Sequence, residues 1–66
     1  MHLLIRFQLT SPAFGLLPST RGMEASNILR SLAMRLDANG LAAGDAITLK
    51  DTNGRAVGLA QVMEKG

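Results

Sequence analysis

Sixty-six residues with no cysteine, and with seven Lys or Arg against five Asp or Glu, exclude a disulfide-stapled scaffold, a thiolate metal site and the dense positive patch of a dedicated nucleic-acid binder. So short a chain reads as one domain, residues 1–66, and one core of that size leaves only about 3–5 kcal/mol of net stability. With disulfides excluded and a single histidine present, the supplement to look for is a partner chain.

From the start, Leu3, Ile5, Phe7 and Leu9 alternate with His2, Leu4, Arg6 and Gln8, the period of a half-buried strand, expected over residues 2–10. Arg6 and Gln8 interrupt what would otherwise resemble a secretory leader, and no positive region precedes it. No stretch approaches the roughly 20 apolar residues of a membrane span. The expectation is a soluble, unprocessed chain without membrane contact. Thr10-Ser11-Pro12 ends the strand, because proline has no N–H to donate. The loop expected over 11–21 contains Phe14, Leu16 and Leu17, either a plug over one end of the core or an exposed contact patch, the plug being the commoner outcome.

A helix is expected over 22–38. Ala25, Ile28, Leu29, Leu32 and Leu36 fall within about 100° of its circumference, with Ala33 beside them, and Ser26, Asn27, Arg30, Ser31 and Asp37 lie opposite. Thr20 is the expected N-cap, Glu24 suits the positive end of the helix dipole, and Asn39-Gly40 is the stop. Met34 and Met23 share a stripe on the polar side near Arg30, where methionine is either an adaptable contact point or a tolerated surface residue. Arg35 borders the apolar arc, where its stem can cover the core edge.

The last third is a hairpin, with strands expected over 45–51 and 55–63 and a turn at 52–54. Two registers compete. A two-residue loop, Asn53-Gly54, sets Leu49 opposite Gly58 and Ile47 opposite Ala60. A three-residue loop with Gly54 in the left-handed position sets Asp51 opposite Arg55, Leu49 opposite Val57 and Ile47 opposite Leu59. The second is preferred because it gathers Ile47, Leu49, Val57 and Leu59 on one face. It also offers an exposed Asp51–Arg55 pair contributing under about 1 kcal/mol.

The expected fold is therefore α+β in the order β-α-β-β, one helix packed on one face of a three-stranded, mostly antiparallel sheet. The first strand is placed beside the third, since antiparallel neighbours are the more frequent pairing. On this register the opposite face of the sheet carries Ala56, Gly58, Ala60 and Val62, with Leu4, Arg6, Gln8, Thr48 and Lys50 beside them. Such small and apolar residues suit docking better than solvent. They imply a homodimer; the alternative is a monomer with a thin, partly wetted sheet. With Arg30 and Met34 they are the candidate partner contacts.

Chemistry finds little support. His2 has no nucleophile or orienting carboxylate at a fixed spacing, and Asp51-Thr52-Asn53-Gly54 lacks the later acidic ligand of a calcium loop, so Asp51, Asn53, Gly54 and Arg55 are read as structural turn residues. No catalytic, metal or cofactor-binding residue is expected, and the chain is not read as an enzyme. Arg30, Arg35, Lys50 and Arg55 would make at most a weak nucleic-acid surface, with no Tyr or Trp for base stacking.

Three segments in order carry a resemblance: Ala13-Phe14, then Ile28-Leu29-Arg30-Ser31-Leu32-Ala33-Met34-Arg35-Leu36, then Leu49-Lys50-Asp51-Thr52-Asn53-Gly54-Arg55-Ala56-Val57-Gly58. Together with the alternating first strand they resemble a group of small uncharacterised proteins encoded by tailed bacteriophages and prophages, with a helix of the form L-R-x-L-A-x-R-L and a hairpin D-x-N-G-x-x-V-G. The chain differs from them in being less acidic and in a linker over 13–23 richer in Leu, Gly and Pro. The resemblance implies prophage origin, the cytoplasm of a bacterial host, and a phage or host protein as partner. It supplies no activity. The expected function is a non-enzymatic, self-associating protein-interaction module; a weak nucleic-acid-binding accessory protein is the alternative.

Overall fold

The computed structural model describes residues 1–64; the last two residues of the expected domain lie outside them. In chain order it has β1 (His2–Phe7), a 3-10 turn (Pro12–Phe14), α1 (Pro18–Asn39), β2 (Ala46–Lys50) and β3 (Ala56–Met63). The sheet order is β1-β3-β2 and both neighbouring pairs are antiparallel, an α+β fold with the first strand beside the third. The ladder of β1 closes with the Gln8 N–H donating to the Val57 carbonyl at 2.9 Å. Leu9 lies beyond it and is exposed, so the strand stops short of residue 10.

The helix begins four residues before the expected start. Pro18 occupies the first turn, where its missing N–H would have had no acceptor and its fixed φ is already helical. Thr20 is accordingly inside the helix rather than its N-cap: its hydroxyl donates to the Leu17 carbonyl at 2.9 Å and accepts from the Leu17 N–H at 3.3 Å. At the other end Gly40 (φ 72°) donates its N–H to the Leu36 carbonyl at 2.9 Å and turns the chain away.

The buried face of α1 is narrower than the sequence arc. Ile28 and Leu32 are buried, Ala25 and Leu36 half-buried, but Leu29 and Ala33 are exposed. Three strands spaced about 4.8 Å apart make a layer only about 10 Å across, too narrow to cover the full arc of a helix. Phe14 plugs the core at 0% exposure, its ring stacked on Phe7 with centroids 6.2 Å apart, whereas Leu16 is 93% exposed. The two outcomes expected of this loop are divided between neighbouring residues.

The hairpin combines both competing registers. At the turn the three-residue loop forms: Gly54 takes φ 80°, its N–H donates to the Asp51 carbonyl, and the Asp51 N–H donates to the Arg55 carbonyl, both at 2.9 Å. Lys50 then pairs with Ala56, but Leu49 pairs with Gly58, leaving Val57 as the extra residue of a β-bulge. Beyond it Ile47 pairs with Ala60 and Thr48 with Leu59. The expected Leu49–Val57 and Ile47–Leu59 pairs are corrected accordingly. Val57 still packs on the core, Leu59 moves to the other face, and Gly58, Ala60 and Val62 turn toward the helix side. Ala60 is 1% exposed and Val62 is buried, so these two candidate contacts are core residues.

Gly58 shows why the extra residue sits where it does. A Cβ there would lie 2.1 Å from the Arg6 carbonyl oxygen and 2.3 Å from the Phe7 Cβ, so β1 and β3 approach each other at a point only glycine fits.

Candidate interaction surface

The uncovered face of the sheet is built by alternation from His2, Leu4 and Arg6 of β1, Leu59, Gln61 and Met63 of β3, and Ala46 and Thr48 of β2. Leu4, Met63, Thr48 and Arg6 are exposed, and an open groove of about 230 Å³ runs between Leu4, Arg6, Gln8, Leu59 and Gln61. Leu4 faces Gln61 and Arg6 faces Leu59, so apolar bodies alternate with polar tips along the groove. A surface of this kind can seat a partner.

The six candidate contacts fall in separate places. Arg30 and Met34 are exposed on the side of α1 turned away from the sheet, Ala60 and Val62 are interior, Gly58 lies at the close approach to β1, and Ala56 is exposed near the turn. No single patch joins them. The cations of the nucleic-acid alternative are also dispersed: Arg35 and Lys50 border a groove beside β2, which Asp45 also lines, while Arg30 is on the back of the helix and Arg55 follows the turn. The Arg35 guanidinium is engaged, donating to the Thr48 carbonyl at 3.2 Å.

A polar knot at the turn end holds these elements together. Asp51 is buried rather than exposed beside Arg55. Its Oδ1 accepts the backbone N–H groups of Asn53 and Arg55, each at 2.9 Å, and its Oδ2 accepts the Ser11 hydroxyl at 2.7 Å. The Ser11 hydroxyl above all, then the Arg55 and Asn53 N–H groups, hold the carboxyl below its ordinary range against the opposing effect of desolvation; the Arg55 charge adds least. Beside it the buried Glu24 accepts the Thr52 N–H at 2.7 Å, with the Thr52 hydroxyl 2.6 Å and 2.8 Å from its two oxygens. Glu24 is therefore a clasp between helix and turn, not a partner of the helix dipole.

Both carboxylates are committed to donors within the chain, which fits structural acceptors rather than a cation site; among the described residues no group of three or more His, Cys, Asp or Glu could hold a metal ion. Asp-x-Asn-Gly signals a side-chain-capped turn and points to Asp51 as an acceptor of local N–H groups. Nothing local points to Glu24 or Ser11, which lie 28 and 40 positions from the groups they bind. No protein-family model, curated protein or solved structure matches the chain.

Proposed function

We propose that this chain is a non-enzymatic protein-interaction module that works in a self-associated form. One observation carries the reading: α1 covers only one face of the sheet, and the other face leaves Leu4 and Met63 exposed beside the half-buried Leu59. Exposed apolar side chains interleaved with Arg6, Gln8 and Gln61 give a mixed surface on which a partner can both bury apolar area and find polar contacts. The prophage setting, the cytoplasm of a bacterial host and a phage or host protein as further partner come from the resemblance of the helix and hairpin segments, and form part of the proposal. No helix among the described residues is long and apolar enough to cross a membrane. Nucleic-acid binding has less support, since its four cations do not share a surface.

Sedimentation equilibrium from low to high micromolar concentration is the test. A reversible monomer–dimer equilibrium is expected. A monomer throughout that range removes the self-association, and steeply salt-dependent binding to DNA or RNA would favour the accessory-protein alternative.

A further inference from the structure

The two free edges of the sheet differ in a way that identifies where a second copy would join. In an antiparallel ladder each residue turns both of its backbone groups toward one neighbour or toward the other side. Val62 donates to the Asp45 carbonyl and accepts from the Gly44 N–H, so Val62, Ala60 and Gly58 turn toward β2. Leu59, Gln61 and Met63 therefore turn toward β1 and meet Arg6, Leu4 and His2. The backbone groups of Leu3, Ile5 and Phe7 are left pointing off the free edge of β1.

On β2 the corresponding outward residues are Ala46, Thr48 and Lys50. There the Arg35 side chain caps the Thr48 carbonyl, and Lys50 brings a charge, two devices that block strand addition. On β1, among the described residues, no side chain caps an outward carbonyl, and the one arginine, Arg6, belongs to a residue whose backbone groups face β3; the outward residues Leu3, Ile5 and Phe7 are all apolar. Ile5 is 38% exposed although alternation places it on the helix side. On α1, Leu29 sits about 100° round the helix from Ile28, on the flank opposite Arg35, and is exposed as well. Ile5, between the half-buried Leu3 and Phe7, is thus the open point on the helix side of β1.

Resting on the self-association proposed above, we infer that the occupant of this edge is a second copy of the chain, its β1 pairing antiparallel with the first about a two-fold axis at Ile5 to make one six-stranded sheet. The register follows from the residues. Centring the pair on Ile5 sets Leu3 opposite the partner's Phe7 and Ile5 opposite the partner's Ile5, so all three outward residues exchange hydrogen bonds. Leu4 then lies opposite the partner's Arg6, whose stem covers it. Moving the axis one residue toward the C-terminus would instead set Arg6 against the partner's Arg6, with like charges directly opposed. Moving it one residue toward the N-terminus leaves Phe7 without a counterpart inside the partner strand.

Amide hydrogen exchange on the unaltered chain tests this, read by NMR across the concentration range in which sedimentation reports association. The amides of Leu3, Ile5 and Phe7 have no acceptor within one ladder, so their protection is expected to rise with protein concentration, while those of Ala46, Thr48 and Lys50 stay unchanged. The substitution Ile5→Lys, which puts two ammonium groups at the axis, is expected to return the protein to a monomer with its far-UV circular dichroism intact. A dimer whose concentration-dependent protection falls on β2, or nowhere on the two edges, overturns the β1 pairing and leaves self-association standing. A monomer at every concentration overturns both.

Discussion

At the scale of single residues, the polar knot sets how acid and mutation act. Asp51 has a depressed pKa in the folded chain, so it contributes stability that is present above its ordinary value of 3.8 and is lost as the pH falls through the folded value. Acid titration of the wild type is expected to lose stability from about pH 5 downward. Asp51→Asn lacks that component, so its acid limb should be shallower; equal slopes by circular dichroism would show that Asp51 titrates as it does in the unfolded chain. Thr52→Val keeps the shape but takes a donor from the buried Glu24, at an expected cost of about 1–3 kcal/mol. Removing both members should cost less than the sum of the single losses, because an apolar pair leaves no carboxylate short of donors. Strict additivity in chemical denaturation would disconnect the two residues.

At the scale of elements, α1 and the bulge decide which residues are inside. Leu32 is in the middle of the buried stripe and Leu29 is on its open flank, so Leu32→Ala is expected to cost about 2–5 kcal/mol and Leu29→Ala about 0.5–1 kcal/mol. Equal losses would mean that the flank is covered within a single chain. Gly58→Ala directs a methyl group into the Arg6 carbonyl and the Phe7 backbone, which can be relieved only by parting β1 from β3. Its expected signature is loss of cooperative unfolding, although alanine is the smallest addition available. A Gly58→Ala variant as stable as wild type would show that the two strands separate at little cost.

At the scale of the whole molecule, a chain of this length has little net stability to lose, and the β1 pairing proposed above would tie part of it to association. If two folded chains bind each other and the unfolded chains do not, the melting temperature rises with protein concentration by mass action. Differential scanning calorimetry is expected to show that rise for the wild type and not for Ile5→Lys. A melting temperature independent of concentration would mean that each chain supports itself.

Much of this was legible in the residues. Alternation from Leu3 to Phe7, the Asn39-Gly40 stop and the Asn53-Gly54 turn are local signals, each fixed by backbone sterics within a few positions, and they determine the element order and the α+β class. What escaped was every property that depends on one residue's excess or on a distant contact. Side chains in a strand alternate with a period of two, so a single unpaired residue, Val57, reverses the faces of all that follow. The sequence by itself therefore specified a hairpin with a three-residue turn. Only the tertiary structure, by drawing the Arg6–Phe7 backbone against Gly58, decided that Ala60 and Val62 face inward and Leu59 outward. Glu24 and Asp51 follow the same division: their acidity is written in the chain, but their burial and their donors exist only once helix, loop and turn have met.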